Sequence, residues 1–424
     1  MYPFHISACE GQIRPSFRRL FCSTVIFVFL WVGFFILPAR ADDMSDAFGA
    51  EPVGQSEAVE SGLTYLLDYC ADASNGASID VSRIDPLVAF VRDAEEMVAH
   101  TPRQRDNIHG AFIAYTLDRS MHDALRYAYN QQIPEGAINA SSVRYAQWEQ
   151  ISVGGAGPPE LWKMVNDLAQ PKVVRGVVRE IISPDLHTGA YYEYGLNRAF
   201  LLYRQENLRV MISISSQNGD SEVGRKGFII GEDENWNYLY TEEPGLDKTG
   251  LGWVKSRIYD FYSICTYVED LDHPGKVKIG IFQWLGAGWA GFNLVESHHI
   301  QKGMVRQTSQ FKALLESQRI PAAVTLEQVY QSLARIDEDT LRAKALTVVH
   351  HMRDKALSDD DLKNKKAIAE LDPEAYVARM DKSELISELM REFMKFSLGK
   401  ETPLASSFWV SLEKRPSDGP LPLS

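Results

Sequence analysis

Cysteine is scarce in this chain: four residues in 424, two of which, Cys9 and Cys22, fall within the first 41 positions. Only Cys70 and Cys265 remain, far apart in sequence. That excludes a disulfide-built scaffold and a zinc site made of paired cysteines. Two buried free thiols are the expectation, with one Cys70–Cys265 bridge as the alternative. No H-E-x-x-H, C-x-x-C or G-x-S-x-G pattern occurs. The adjacent pairs His298-His299 and His350-His351 point about 100° apart on a helix, so neither pair chelates an ion. No metal and no other cofactor is expected. Cationic side chains are in deficit as well, 44 Lys and Arg against 57 Asp and Glu, for a formal charge of −13. With no basic stripe to reverse that field, nucleic acid is excluded as a partner. Beyond residue 37 no apolar run is long enough to span a bilayer.

What is present begins at the N-terminus. Arg14, Arg18 and Arg19 precede an apolar run from Leu20 to Leu37, then Pro38 and the small-residue pattern Ala39-Arg40-Ala41. A basic start, an apolar middle and an A-x-A end are the parts of a secretory signal, so residues 1–41 read as a signal peptide cleaved after Ala41. Because the run is almost long enough to cross a membrane, an uncleaved anchor with membrane contact through residues 20–37 is the alternative. Either way the rest of the chain is expected outside the cytoplasm, in the periplasm or cell envelope. Loss of residues 1–41 would leave a charge of −16.

Residues 42–55 read as a flexible leader. Residues 56–130 read as helical: Leu63, Leu66, Leu67 and Cys70 recur at helical spacing, Asp85-Pro86 opens a second helix, and a third follows Thr101-Pro102 with Ile108, Phe112, Tyr115, Leu125 and Tyr129 on its apolar side. Residues 131–141 read as a linker. After a breaker cluster at 154–159 and a short helix with Leu161, Trp162, Val165 and Leu168, the period changes to two, with runs near 173–182, 191–194, 197–203, 208–215, 227–230, 236–241, 253–268 and 277–285. The short turns Gln205-Glu206-Asn207 and Asp272-His273-Pro274-Gly275 make neighbouring runs antiparallel. One long helix is expected over about 292–317, with Leu294, Ile300, Met304 and Phe311 on its apolar side. Residues 321–398 read as helical again, with a capping box at Thr325 and Gln328 and a last helix from Asp372-Pro373 to about Phe396. The acidic run Ser358-Asp359-Asp360-Asp361 reads as a helix start, and 401–424 as a loose tail.

The alternation also assigns faces. In 253–268, Lys255, Arg257 and Glu269 mark a wet side, leaving Val254, Ile258, Asp260, Tyr262, Ile264 and Val268 on the other. Lys276 and Lys278 mark the wet side of the last run and leave Val277, Ile279 and Ile281 inside, while Val210, Ile212 and Ile214 alternate against Arg209. A sheet with an apolar face must be covered, and the long helix is its natural lid. The space between them is either a solid core or a cavity. The cavity reading is lined by Val210, Ile212, Ile258, Asp260, Tyr262, Ile264, Ile279 and Ile281 of the sheet with Ile300, Met304 and Phe311 of the helix. Gly286-Ala287-Gly288-Trp289-Ala290-Gly291 is a formal G-x-G-x-x-G, but the strands before it are antiparallel and helices follow. A turn is expected there rather than a dinucleotide site.

Residues 143–317 resemble a START-type domain, the helix-grip fold shared with polyketide cyclases and plant pollen allergens. The order of a strand, a short helix, a run of antiparallel strands and one long helix carries the resemblance. So do Pro159-Glu160-Leu161-Trp162-Lys163-Met164-Val165-Asn166-Asp167, similar to the family's short helix ending in Asp, and Asn197-Arg198-Ala199-Phe200-Leu201-Leu202 at the family's strand entry. Ala199 stands where the family often has Asp, and Val173-Val174 where a Trp is usual. The resemblance implies an α+β fold, a curved antiparallel sheet closed by a long helix, flanked here by N- and C-terminal helical segments. It also implies a lipid or other hydrophobic small molecule held in the cavity. Two other functions stay open. One is a cyclase- or hydrolase-like enzyme using Asp260, Tyr262 or a histidine at the cavity mouth; the other is a non-catalytic interaction protein of the cell envelope.

Overall fold

The period-two runs pair into one antiparallel sheet. The computed structural model describes residues 56–413, without 73–75, 77, 156, 185–188, 249–251, 361 and 363–364, all within one compact unit, Phe48–Ser424. The readings for residues 1–55 and 414–424 lie outside the described residues. Among the described residues thirteen strands occur: β1 (His109–Leu117), β2 (Val143–Val153), β3 (Lys172–Ile182), β4 (Gly189–Tyr191), β5 (Glu193–Gln205), β6 (Leu208–Gln217), β7 (Arg225–Ile229), β8 (Tyr238–Pro244), β9 (Leu246–Lys248), β10 (Gly252–Val254), β11 (Arg257–Asp270), β12 (Val277–Trp289) and β13 (Phe292–Asn293). The main sheet has the order β1-β12-β11-β6-β5-β3-β2, with β13 folded onto β12. From β2 to β12 the long strands lie side by side in chain order, and β1 then returns beside the last of them. Strands β4, β7 and β8 make a small second sheet, and β9 pairs with β10.

The helices are α1 (Glu57–Ala71), α2 (Asp85–Asp93), α3 (Met121–Ala128), α4 (Glu135–Ile138), α5 (Leu161–Met164), α6 (Ser297–Leu315), α7 (Ala323–Arg335), α8 (Glu338–Ser358), α9 (Lys365–Ala369), α10 (Pro373–Ala378), α11 (Lys382–Leu398) and α12 (Ser406–Glu413). They cover both faces of the sheet. Against one face α1 and α2 bring Leu63, Leu66, Leu87 and Val91 onto Leu201, Val210, Ile212, Ile214, Ile264, Phe282 and Trp284. The fit is tight: the Phe112 and Phe282 rings are 4.3 Å apart, and a Cβ on Gly280 would sit 2.7 Å from Val91. Against the other face lie α3, α4, α5, α7, α8 and α11, with Phe200, Leu202, Met211, Tyr267 and Ile279 of the sheet in their core. Two buried faces leave no wet side to alternate against.

That is why the third expected helix is wrong. Residues 109–117 are strand β1, buried at almost every position, and only Met121 to Ala128 of that stretch is helical. A strand buried on both faces loses its period of two and reads as a helix core. Part of the edge of β1 is occupied by the preceding loop, where Met97 N donates to Ala114 O (2.8 Å) and His100 exchanges backbone hydrogen bonds with Phe112 (2.9 and 2.8 Å).

Other boundaries shift for local reasons. Helix α7 starts at Ala323 with Ala322 as its cap and no side-chain bond, so Thr325 and Gln328 form no capping box. The run from Asp372 to Phe396 is two helices, each opened by an aspartate: Asp372 accepts from Ala375 N, and Asp381 accepts from Glu384 N in a capping box. Asp359 ends α8 instead of opening a helix. The stretch expected to be loose carries α12, whose Trp409 is fully buried 5.8 Å from the Phe393 ring. The glycine-rich motif opens no helix: Ala290 (φ 53°) and Gly291 (φ 80°) form a two-residue turn from β12 into β13. Cys70 and Cys265 are free, one on each face of the sheet. Among the described residues no helix is long and apolar enough to cross a membrane.

Removing the Trp409 side chain should cost about 3–5 kcal/mol of stability, the range for emptying a large buried aromatic site. Urea unfolding of Trp409→Ala measures it, and a change under about 1 kcal/mol would show that α12 is not part of the core.

Candidate functional site

The expected cavity lining is not brought together. Strand register puts Ile264 opposite Ile214 and Phe282, and Cys265 opposite Ile281. Val210, Ile212, Asp260, Tyr262 and Ile264 therefore lie on the α1 and α2 side, whereas Ile279 and Ile281 lie on the other, Ile279 in the core with the C-terminal helices and Ile281 also against Ile300 and Met304 of α6. A bulge between Ile258 and Asp260 turns Ile258 to the Ile281 side as well. The lysines of 276–278 mislead because Lys278 lies half-buried against Glu96 (2.8 Å) and does not mark a wet face. On α6, Ile300 and Met304 pack on Ala111 and Ile113 of the edge strand β1, and Phe311 packs beside the larger core. Leu294 lies outside the helix and is exposed. Tyr262 donates to Asp106 (3.4 Å) at an exposed end of the sheet. Asp260 beside it has its pKa raised by burial and by the neighbouring Asp106 and Asp220.

The histidines serve surface and cap roles. His299 Nδ1 accepts from Glu296 N at the start of α6, while His350 and His351 pair with Glu374 and Glu401. Among the described residues no cluster of His, Cys, Asp and Glu could hold a metal.

A different site is present. On the face opposite α1 and α2, a pocket of about 230 Å³ lies over β2, β3 and β5. Its floor is Trp148, Val178, Arg198 and Phe200 of the sheet; its walls are Tyr129 to Glu135 from the α3–α4 connection and Tyr330, Ser383 and Ser387 from α7 and α11. Exposed Gln131, Gln147 and Pro158 line its mouth. The rings are mutually packed: Tyr129 meets Phe200 edge-on at 4.9 Å, and Trp148 lies 5.9 Å from Phe200. Tyr145 hydrogen-bonds Gln147 Oε1 (2.7 Å) and Ser383 Oγ (2.8 Å), tying strand β2 to α11.

At the inner end lies a charged group of three. Arg198 donates through Nη2 to Glu180 Oε2 (3.2 Å) and through Nε to Ser215 Oγ (3.2 Å), and its Nη1 stands 3.8 Å from Glu135 Oε2. Glu180 also accepts from Tyr194 OH (2.8 Å). Burial works against the Arg198 charge, but Glu135 and Glu180 outweigh it and hold the guanidinium above its usual pKa. Glu135 is the less supported carboxylate, accepting no side-chain hydrogen bond from any described residue. Burial pushes its pKa up to about 7 against the attraction of Arg198, and Glu180 adds to the rise. Burying a second carboxylate beside one cation disfavours its charge.

Local sequence explains why Glu135 sits there. Pro134 precedes the single turn of α4, which lies flat on β2 because residue 136 is glycine: a Cβ there would sit 2.1 Å from Arg144 O. Helix α11 packs over α4; its Ser387 lines the pocket, with the Oγ itself buried against α4 and without a hydrogen-bond partner among the described residues. Residues 131–141, read from the sequence as a linker, hold the site's key acid. The Pro-Glu-Gly run was the one local sign of a helix turn. Arg198, noted for the resemblance, does lie in the pocket.

A second void, about 20 Å³ beside Tyr376 and Arg391, has room for no more than a water-sized group. Around it Arg144 stacks on Tyr240 (4.2 Å) and pairs with Glu388 (3.2 Å), a polar contact between α11 and the small sheet. Neither a scan of protein-family models nor a search of curated proteins returns a match to this chain.

Glu135 holds its proton more tightly in the folded protein than in an unfolded chain, where glutamate titrates near ~4.3. The folded state is thus favoured below that pH, and the contribution is lost as pH rises through about 7. Glu135→Gln should gain stability relative to the parent between pH 5 and pH 8, by up to about 3 kcal/mol at about 1.4 kcal/mol per unit. Denaturant titrations at the two pH values test this, and an unchanging difference would remove the buried-acid assignment.

Proposed function

We propose that this protein binds a small hydrophobic molecule with one polar end, held in the pocket over β2, β3 and β5. The observation that carries the reading is a sheltered space walled by Tyr129, Tyr145, Trp148, Phe200 and Tyr330, with Glu135 and Arg198 at hand. Apolar walls with a few convergent polar groups are the usual form of a small-molecule site. Volume sets the ligand's size. An apolar cavity of about 150 Å³ takes one benzene, so a pocket of this size takes roughly eight to ten non-hydrogen atoms. A long acyl chain would extend past Gln131 and Pro158 into solvent.

The helix-grip relationship is part of the proposal. Long strands in chain order, a first strand returning beside the last and a long helix directly after them support it. The enclosing elements differ from the expected ones, since α6 packs on the β1 edge and α7 and α11 wall the pocket. The export reading belongs here too, resting on Arg14, Arg18, Arg19, the apolar run and Ala39-Arg40-Ala41. A Glu135 titrating near neutrality favours acid–base catalysis as a second use of the same space.

Ala146 lines the pocket from β2, and Ala146→Phe should fill it. The parent protein is expected to gain melting temperature with small aromatic amphiphiles and to carry a bound small molecule in native mass spectrometry, with both signals gone in a folded Ala146→Phe variant. Binding unaffected by the substitution would place the ligand elsewhere, and a ligand recovered chemically altered would favour the enzyme. When the whole chain is expressed in an exporting cell, the intact mass should begin at Asp42. A species retaining residues 1–41 in the membrane fraction would favour the anchor.

A further inference from the structure

We infer that the polar end of the ligand is a protonated amine, received by the Glu135 carboxylate with the faces of Tyr129, Trp148 and Phe200 around the body behind it. The inference deepens the binding reading above and rests on it. Two observations point to a cation rather than an anion. Arg198, the pocket's cation, is already engaged: Nη2 on Glu180 (3.2 Å), Nε on Ser215 (3.2 Å) and Nη1 turned to Glu135. An incoming carboxylate or phosphate would have to displace those partners and settle beside two glutamates. Glu135, by contrast, accepts no side-chain hydrogen bond from any described residue and has only the 3.8 Å approach of Arg198; its side chain keeps 24% exposure and lines the pocket. With Glu180 behind it, the group carries one more negative than positive site, which an ammonium balances.

The second observation is the walls. Aromatic faces attract cations through their quadrupoles, and water exclusion strengthens both that attraction and the ammonium–carboxylate bond. An arylalkyl amine of about nine non-hydrogen atoms matches both the volume and the chemistry.

The test uses the whole mature protein and three probes of one shape: phenethylamine, its neutral isostere n-propylbenzene, and the anion phenylacetate. Titration calorimetry should give phenethylamine at least a tenfold tighter Kd than either of the others. Glu135→Gln should abolish that preference while retaining propylbenzene binding, and Glu135→Asp should keep the preference, with folding of each variant checked by circular dichroism. Equal binding of amine and propylbenzene, or tighter binding of phenylacetate, would overturn the amine assignment and leave the pocket standing. No binding by any of the three would overturn the pocket reading and this inference together.

Discussion

The main sheet carries apolar side chains on both faces, and neither face can be left in water. Everything else in the molecule follows from how the two faces are covered. Helices α1 and α2 cover one with a close aromatic fit, Phe90, Phe112, Phe282 and Trp284 in contact, and leave little room for a guest. The other face is larger and is covered by several pieces from different parts of the chain: α3 and α4 from the crossover between β1 and β2, α6 along one edge, and the C-terminal helices over the rest. Pieces that come from separate parts of the chain meet at joints. The 230 Å³ pocket lies at such a joint, between one-turn α4, α7 and α11.

The same joint explains the pocket's polarity. Polar side chains buried where the pieces meet pair with one another. Tyr145 bridges β2 to Ser383, Arg144 bridges β2 to Glu388, and Lys395, wholly buried, pairs with Glu392 (2.9 Å) and Asn237 (3.0 Å). These groups fix how α11 seats on the sheet, since a buried charge stripped of its partner is costly. Glu135 differs from them in lying at the void, where Arg198 stands 3.8 Å away and no described side chain donates to it. Structural ion pairs of this kind hold a layer in register, whereas an acid beside a void is available to a ligand.

Much of the fold was legible, and the failures share one cause. Strands β3, β5, β6, β11 and β12 and helices α1, α2 and α6 lie close to where the sequence pattern puts them, because turn residues such as Glu206-Asn207 and Gly275 punctuate them strongly. Strand β1 was missed because its residues are apolar on both sides. The face assignment of β12 failed because Lys278 is drawn inward by Glu96, and that of Ile258 because a bulge shifts parity by one residue. The site was the least legible part. Tyr129, Glu135, Trp148, Arg198, Tyr330 and Ser387 are spread over some 260 positions on six different segments, and no spacing rule links them.

By itself the sequence determined the acidic character of the chain, its antiparallel strands with their hairpins, and the lack of any paired-cysteine or chelating-histidine motif. Each of these depends on neighbours within a turn or two, or on simple counting. Only the tertiary structure decided which face of each strand meets which helix and where the covering layer leaves a gap. It also decided which carboxylate among many lines that gap. Those outcomes depend on contacts between residues far apart in the chain. A one-residue bulge or a single glycine at position 136 changes them without changing any local pattern.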